Sequence, residues 1–293
     1  MLPFEHKTVL DKWGVNFQPF ISEKVSVVVG DVSCEGLGIH DFHLKEEILK
    51  ETDMVLNFAA ITKFDERYDV ALGTNTFGAL NVLDFSKKCA KVKLVVHVST
   101  AYVYGEEPGL LMEKPLRWRR ARNNNNIAEV LNCETELLQN RLQELHSKKL
   151  PHKEIASDMR NLGLERAKYY GWPNTYTFTK AMAEMALLDS KGDLPLVILR
   201  PTMNPIRLPE VHKMGQAFFS KDPWRDRHEK PVKVGNGLTD FDDTNLEELR
   251  KRTSEKGLYE VDGVELNMDT RSINWEDYIM NVHIPGLVKF VMK

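Results

Sequence analysis

The sequence has few cysteines, no long apolar run and little net charge, and each shortage excludes a class of protein. Its three cysteines are odd in number and never form a CxxC pair, so we expect neither a disulfide framework nor a zinc or other metal site. No apolar run approaches the roughly 20 residues that a membrane-spanning helix needs. A net charge of −3 over 293 residues argues against a nucleic-acid partner. The sequence therefore predicts a protein of a reducing, intracellular compartment.

What the chain does have is enough apolar sequence for a large core, arranged as short strand-like runs between helical stretches. Hydrophobic residues make up 42% of it. The first residues, MLPFEHKTVLDKWG, mix acidic and basic side chains, so no targeting segment is visible. Nearly continuous apolar runs of this kind are typical of parallel strands covered on both faces. The predicted strands are Val25–Val29, Met54–Ala59, Lys93–Ser99 and Leu194–Arg200.

Helix-period patterns separate these runs and continue into the C-terminal part of the chain. Apolar residues recur every three to four positions between Ile127 and Lys149, which predicts an inserted amphipathic helix. From about residue 204 the sequence becomes rich in proline and charge, with helical patterns at 245–257 and 273–282. We therefore divide the chain into an α/β part, residues 1–203, and a partial helical C-terminal region, residues 204–293.

Small, hydroxylated or charged residues follow each predicted strand, where ligands of open α/β sheets bind. Asp31, after the first strand, has a side chain that could accept a hydrogen bond from an adenine amino group. Each group taken alone also fits ordinary turn chemistry. The four groups are Gly30-Asp31, Asn57-Phe58-Ala59-Ala60, Ser99-Thr100-Ala101-Tyr102 and Arg200-Pro201-Thr202.

A tyrosine and a lysine stand four positions apart in PNTYTFTKAMAE, at the predicted start of a helix. This spacing places Tyr176 and Lys180 on one helix face, where both side chains can reach one small molecule. An isolated pair of this kind also fits a solvated helix surface, so the interpretation depends on the rest of the chain.

The short motifs GDVS, NFAA, VSTAYVYGE, YTFTK and LRPT together resemble those of extended short-chain dehydrogenases/reductases. More narrowly, residues 64–106 and 171–184 resemble the plant alcohol-forming fatty acyl-CoA reductases of the male-sterility type, and the likeness continues in 222–235 and 273–293. The resemblance implies a Rossmann-like NAD(P)-binding reductase domain in residues 1–203. The expected reaction is a two-stage reduction of a long-chain acyl-CoA to a primary alcohol with NADPH, although no residue independently decides between NADPH and NADH.

The resemblance also implies roles for individual residues. Tyr176 would be the general acid, Lys180 would lower its pKa and bind the nicotinamide ribose, and Thr100 would orient the substrate oxygen. Asn75 matches a structural asparagine of the family but also fits a packed mid-helix residue. The implied catalytic residues are Thr100, Tyr176 and Lys180. The implied cofactor-binding residues are Asp31, Ala59, Ala60, Asn75, Tyr176, Lys180, Arg200, Pro201 and Thr202.

The sequence departs from the family pattern in the glycine-rich turn that holds a pyrophosphate. No motif such as GxxGFxG occurs, and family sequence is also missing near residues 203–210 and 234–243. We therefore expect an incomplete Rossmann-like sheet with no ordered pyrophosphate site. We expect Val25–Val29 to pair directly with Met54–Ala59 through a crossover helix around Leu44–Lys50. Otherwise the gap between them is left open or is filled by another chain.

Two interpretations of function follow from this mixture of present and missing motifs. The first is an acyl-CoA reductase with intact catalytic residues. The second is a non-catalytic remnant that binds acyl chains or a related protein, and a nucleotide-sugar epimerase is a distant third.

A basic segment, residues 114–122, combines Trp118 with several cations and is a candidate contact for CoA phosphates or an anionic membrane surface. Such a run also fits a solvated loop. If it does meet a membrane, the cytosolic face of the endoplasmic reticulum is the expected location. The cations are Lys114, Arg117, Arg119, Arg120 and Arg122.

Overall fold

A computed structural model describes residues 17–105, 109–116, 118, 126–201, 239–242, 244–255, 260–261 and 264–265. The α-helices of these residues, α1 to α8 in chain order, are Phe17–Lys24, Phe42–Glu51, Tyr68–Ala71, Gly78–Lys88, Ile127–Ser147, His152–Tyr170, Thr175–Ser190 and Thr244–Glu255. The strands, β1 to β7, are Met54–Asn57, Leu94–Val98, Gly109–Leu111, Leu196–Leu199, Thr239–Phe241, Glu260–Val261 and Val264–Glu265. A π-helical segment, Leu72–Phe77, joins α3 to α4.

The chain divides into two compact units. The larger consists of residues 29–203 with 231–242, and the smaller of residues 1–28, 204–230 and 243–293. In the smaller unit the described elements are α1, α8 and the antiparallel pair β6–β7. The division into domains at residue 203 stays a prediction. Within the described part of the chain, no helix is long and apolar enough to cross a membrane.

The larger unit is built on a three-stranded parallel sheet in the order β1-β2-β4. Leu56 of β1 lies beside Val96 of β2, which in turn lies beside Val197 of β4. This sheet confirms the predicted α/β class, and three of the four predicted strands form with slightly narrower bounds. A second parallel pair, β3–β5, joins Gly109–Leu111 to Thr239–Phe241.

The predicted strand Val25–Val29 does not form, and the prediction that it pairs with Met54–Ala59 is wrong. These residues belong to no strand, and β1 is the edge of the sheet. The boundary between the two compact units falls between Val28 and Val29, so the run is divided between them. An apolar sequence favours a strand only where a neighbour supplies backbone hydrogen bonds, and here the topology supplies none.

The expectation that the strands are covered on both faces is also wrong. Helices α4 and α7 cover one face, where Leu83 and Leu187 pack with Leu196 of β4. Side chains of alternate residues point to the other face. There Met54, Leu56, Val197 and Leu199 are between 42% and 53% exposed.

The helix predictions are mostly confirmed. The inserted helix expected between Ile127 and Lys149 is α5, and the pattern at 245–257 is α8. The helix expected around Leu44–Lys50 forms as α2, but it is not a crossover, because Val25–Val29 forms no strand. The pattern at 273–282 lies outside the described residues. Helix α1 was not predicted, because its short sequence FQPFISEK carries a proline and little periodicity.

The main hydrophobic core lies among α3, α5, α6 and α7. Phe178 of α7 is fully buried and stacks on Tyr68 and Tyr170, with ring centroids 6.3 and 5.1 Å apart. Gly163 of α6 allows close packing, because an added Cβ would lie only 2.6 Å from Thr175 Oγ1 at the start of α7. The core therefore fixes the helix that carries Tyr176 and Lys180.

Candidate active site

A glycine turn and an asparagine cap determine where α7 begins. Gly171 ends α6 in the left-handed conformation, with φ of 97°, which glycine adopts without a steric penalty. The buried indole of Trp172 donates a hydrogen bond to the carbonyl of Val103, 2.8 Å away. Asn174 then caps α7 by accepting a hydrogen bond from the amide of Thr177 at 2.9 Å. Tyr176 is thereby the second residue of a firmly anchored helix.

The end of β2 places Thr100 next to Tyr176. Thr100 follows the strand, and its hydroxyl accepts a hydrogen bond from the amide of Tyr102 at 3.3 Å. The same hydroxyl hydrogen-bonds Tyr176. Burial raises the pKa of Tyr176 above its usual range, and the hydrogen bond from Thr100 opposes this shift. The tyrosine is therefore a protonated donor at neutral pH.

An aromatic side chain, Phe64, lies beside Tyr176. The ring of Phe64, from the segment after β1, lies 5.8 Å from the ring of Tyr176, and Phe64 is 46% exposed. A tyrosine that is half-buried on one side and open on the other can donate its proton to a substrate oxygen.

Lys180 is buried and hydrogen-bonded beneath this surface. Its Nζ donates to the carbonyl of Val98 at 2.6 Å and lies 3.2 Å from His97 Nε2. Burial lowers the pKa of Lys180 to about 8, and the negative charge of Glu184 partly offsets this. The predicted lowering of the Tyr176 pKa by Lys180 stays a prediction. The causes that shift this pKa here are burial and the hydrogen bond with Thr100.

Asn75 lies in the π-helical segment and is fully buried. Its Oδ1 accepts from the amide of Ile61 at 2.8 Å, while its Nδ2 donates to Thr179 Oγ1 at 3.0 Å. It also donates to the carbonyl of Ile61 at 3.1 Å. Asn75 thus ties the loop after β1 to α7. Asn75 is therefore a packed residue of the helix, which the sequence left open as an alternative. The contact of Asn75 with a cofactor stays a prediction.

Two other candidate cofactor-binding residues, Ala59 and Ala60, lie just after β1. The amide of Ala59 donates to Asn57 Oδ1 at 3.1 Å. Ala59 is exposed and Ala60 is half-buried, so the backbone here is accessible to a ligand.

Asp31 lies on an exposed turn of the larger unit. Its carboxylate accepts hydrogen bonds from the hydroxyl and amide of Ser33, at 2.7 and 2.8 Å, and these lower its pKa. Its binding to adenine stays a prediction.

The residues after β4 are the last of the predicted set. The guanidinium of Arg200 binds the buried carboxylate of Glu184, with the closest contact at 2.6 Å, and hydrogen-bonds Tyr104. The carbonyl of Pro201 accepts from the amide of Ala101 at 3.0 Å. Thr202 lies outside the described residues. Arg200 therefore braces the loop after β2, and its contact with a cofactor is still untested.

His97 is the site residue that the sequence analysis missed. It lies in β2, is 1% exposed, and contacts both Lys180 and Asn57. The signal was present as a polar side chain within the apolar strand LVVHV. Ser99, which the sequence places in the group after the third predicted strand, has a buried Oγ with no hydrogen-bond partner among the described residues.

The basic segment is only partly described. Trp118 packs inward, 5.1 Å from the ring of Tyr170 and 6.0 Å from that of Trp172. Arg117, Arg119, Arg120 and Arg122 lie outside the described residues, so the predicted contact of this segment stays a prediction.

Comparison with known proteins identifies the family of the chain. Residues 5–205 match the NAD-binding family described as Male sterility protein. The chain is 31% identical over 427 residues to the alcohol-forming fatty acyl-CoA reductase of Simmondsia chinensis, covering 98% of this chain and 86% of that protein. It is 30% identical over 418 residues to fatty acyl-CoA reductase 1 of Arabidopsis thaliana, covering 95% and 84%.

A more identical relative aligns over a shorter region. Fatty acyl-CoA reductase 8 of Arabidopsis thaliana is 54% identical over 183 residues, which cover 62% of this chain and 37% of that protein. The 427-residue alignment exceeds the 293 residues of this chain, so its relative has internal segments with no counterpart here. The chain belongs to the Male sterility protein family of NAD-binding proteins, whose named relatives are fatty acyl-CoA reductases.

Proposed function

We propose that this chain reduces a long-chain fatty acyl-CoA to the primary alcohol, with NADPH as the reductant. The observation that supports this most directly is the arrangement of Tyr176 with Thr100 at the carboxyl end of the parallel sheet, one helical turn from buried Lys180. These are the residues that the family resemblance implies for proton transfer to a carbonyl oxygen. The relatives support the substrate class by their names.

The residues present fit the nicotinamide-ribose end of the cofactor. The unpartnered buried hydroxyl of Ser99, the phenol of Tyr176 and the amine of Lys180 offer hydrogen bonds to sugar hydroxyls and an amide. The described residues include no glycine-rich turn between a strand and a helix that would hold the pyrophosphate. When bound, the reduced nicotinamide supplies the hydride.

The residues of the chain move the proton and orient the substrate. Tyr176 gives its hydroxyl proton to the carbonyl oxygen of the thioester and, in the second reduction, to that of the aldehyde. Thr100 holds the tyrosine oxygen in place and stabilises the phenolate that proton transfer leaves. Between the two reductions the thiol of CoA departs, so each alcohol formed consumes two hydrides and releases one CoA.

The experiment that tests this proposal follows acyl-CoA-dependent oxidation of NADPH by the purified full chain, with NADH in a parallel reaction. We expect oxidation that requires the acyl-CoA and is faster with NADPH. Oxidation with NADH alone would contradict the choice of reductant. Absence of oxidation with both would favour the non-catalytic interpretation, which the named relatives do not favour.

We further propose that residues 114–122 meet CoA phosphates or an anionic membrane, such as the cytosolic face of the endoplasmic reticulum. Support for this comes only from the clustered cations in the sequence. Replacing Arg117, Arg119 and Arg120 by serine should reduce flotation with vesicles of anionic lipid and weaken acyl-CoA binding. Unchanged flotation and binding would contradict the proposal.

A further inference from the structure

His97 connects the sheet to Lys180 through a chain of hydrogen bonds. Its side chain lies between Asn57 of β1 and Lys180 of α7, and all three residues are buried. Asn57 Nδ2 lies 3.2 Å from His97 Nδ1, and Lys180 Nζ lies 3.2 Å from His97 Nε2. The direction of each hydrogen bond can be derived from atoms whose roles are fixed.

The backbone fixes the orientation of Asn57. The amide of Ala59 donates to Asn57 Oδ1 at 3.1 Å, and a backbone amide can only donate. The oxygen must therefore face Ala59, so the side-chain nitrogen faces His97. Because this nitrogen is itself only a donor, His97 Nδ1 must be the acceptor. The proton of the neutral imidazole is then on Nε2.

This tautomer determines what Lys180 can do. An ammonium group has donors only, so a protonated Lys180 and the Nε2–H of His97 would present two donors to each other. A neutral amine has a lone pair and can accept from Nε2–H while it donates to the carbonyl of Val98 at 2.6 Å. The hydrogen bonds then run in one direction, from Asn57 to His97, to Lys180 and to Val98.

We infer that His97 is a positioning residue: Asn57 fixes it as the Nε2–H tautomer, and in that form it holds the neutral amine of Lys180 toward the sheet. Protonation of Lys180 breaks this contact and frees the ammonium to turn toward the ligand side of α7. The consequence for catalysis rests on the proposed function, whereas the tautomer and its effect on the lysine do not.

The other charges near Lys180 are consistent with this assignment. Glu184, one turn further along α7, favours the ammonium, but its carboxylate is already bound by Arg200 at 2.6 Å. Tyr176, one turn earlier, is protonated because burial raises its pKa. His97 is neutral near pH 7, because burial lowers its pKa to about 3, and the charge that Lys180 carries below its own pKa of about 8 contributes to this.

The tautomer can be read directly by nitrogen NMR of the full chain with ring-labelled histidine. The spectrum contains nine histidines, and loss of one set of signals in His97→Gln identifies the set of His97. We expect the pattern of an imidazole protonated on Nε2 at pH 7. A proton on Nδ1, or on both nitrogens, would overturn the inference. No activity is measured, so this result is independent of the proposed reductase function.

A second measurement tests the effect on Lys180. Asn57→Asp keeps the shape of the side chain, but the carboxylate can only accept hydrogen bonds. It should therefore accept from Nδ1–H of His97, which reverses the tautomer. Nε2 of His97 can then accept from the ammonium of Lys180. We expect the acid dissociation constant of Lys180, followed by carbon NMR of labelled lysine, to fall at least about tenfold. Signals of Lys180 are identified by their loss in Lys180→Met.

The control separates the tautomer from the added charge of the aspartate. In a His97→Leu background the same Asn57→Asp change acts through charge alone, so its effect on the dissociation constant should be several-fold smaller. Equal effects in the two backgrounds would overturn the inference. If the aspartate variant does not fold, the tautomer of the wild-type protein still decides the question.

Discussion

At the residue scale, the proposed chemistry depends on the single hydroxyl of Thr100. It accepts from the amide of Tyr102 and hydrogen-bonds Tyr176, so it both shapes the loop and lowers the pKa of the tyrosine. Thr100→Val should raise the pKa of Tyr176 further and lower kcat by about 100-fold or more, since the phenolate loses its donor. Thr100→Ser, which keeps the hydroxyl, should retain most of the activity. Comparable kcat values for the valine variant and the wild type would contradict the role of Thr100.

His97 gives a prediction for stability at acid pH. Burial, and then the charge of Lys180, lowers its pKa from 6.5 to about 3 in the folded protein. Between these values the unfolded chain binds a proton that the folded protein does not, so the free energy of unfolding falls as the pH falls. Relative to His97→Gln, the wild type should lose on the order of a few kcal/mol between pH 6.5 and pH 3.

Urea unfolding at several pH values measures this difference, and the comparison cancels titrations that both proteins share. A wild type and a His97→Gln variant whose stabilities change in parallel over this window would show that His97 is not buried as a neutral imidazole.

How far the site could be predicted differs from residue to residue. Tyr176, Lys180 and Thr100 were identified because short motifs and a family resemblance point to them. His97 was missed, and so was the contact of Asn57 with it, because these contacts join residues 40 and 83 positions apart in the chain. A sequence shows that a polar residue interrupts a strand but not which side chain it meets.

At the element scale, one buried carboxylate joins three helices. Glu134 of α5 is completely buried and accepts from Arg166 and Tyr170 of α6 and from Tyr68 of α3. Its closest contact with Arg166 is 2.6 Å, and burial with the charge of Glu134 raises the pKa of Tyr68 well above its usual range. The carboxylate therefore anchors the inserted helix to the two helices whose tyrosines stack on Phe178 of α7, the helix that carries Tyr176 and Lys180.

Glu134→Ala should destabilise the protein by about 3 kcal/mol, since it leaves a cation and two tyrosine hydroxyls without their acceptor. Chemical unfolding measures this loss. Glu136→Ala, at an exposed position of the same helix, is the matched control and should change stability by less than about 0.5 kcal/mol. Equal effects of the two substitutions would contradict the anchoring role.

The elements that sequence predicted well are those determined by local pattern. Helix α5 follows from its repeating apolar residues, and α8 from the helical pattern at 245–257. The prediction of a strand at Val25–Val29 was wrong, because a strand needs a partner, which local sequence does not reveal. The expectation that both faces of the sheet are buried was wrong for a similar reason, because an apolar strand does not specify what covers it.

At the scale of the whole molecule, the half-exposed sheet face and the β1 edge predict a tendency to associate. Leu56 and Val197 are 53% and 42% exposed on the same face of the sheet, in the two strands that flank β2. Apolar edges and patches of this kind promote aggregation. Replacing both residues by threonine should reduce light scattering of concentrated protein with little loss of stability, because threonine retains a preference for strands.

Val95→Thr is the control for this change. Val95 is 2% exposed on the opposite face of β2, so the added hydroxyl should destabilise the protein without reducing scattering. If the double variant scatters as much as the wild type, the exposed face is not the cause of association.

The central claim is that this chain turns over an acyl-CoA through Tyr176. Mass spectrometry of the products formed by the purified full chain from a long-chain acyl-CoA and NADPH tests it most directly. We predict that the wild type forms fatty alcohol and free CoA in a one-to-one ratio. Tyr169→Phe, which alters a 66% exposed tyrosine, should form as much of both products as the wild type. A folded Tyr176→Phe should form neither product. Absence of product from the wild type, or equal product from Tyr176→Phe, would contradict the account.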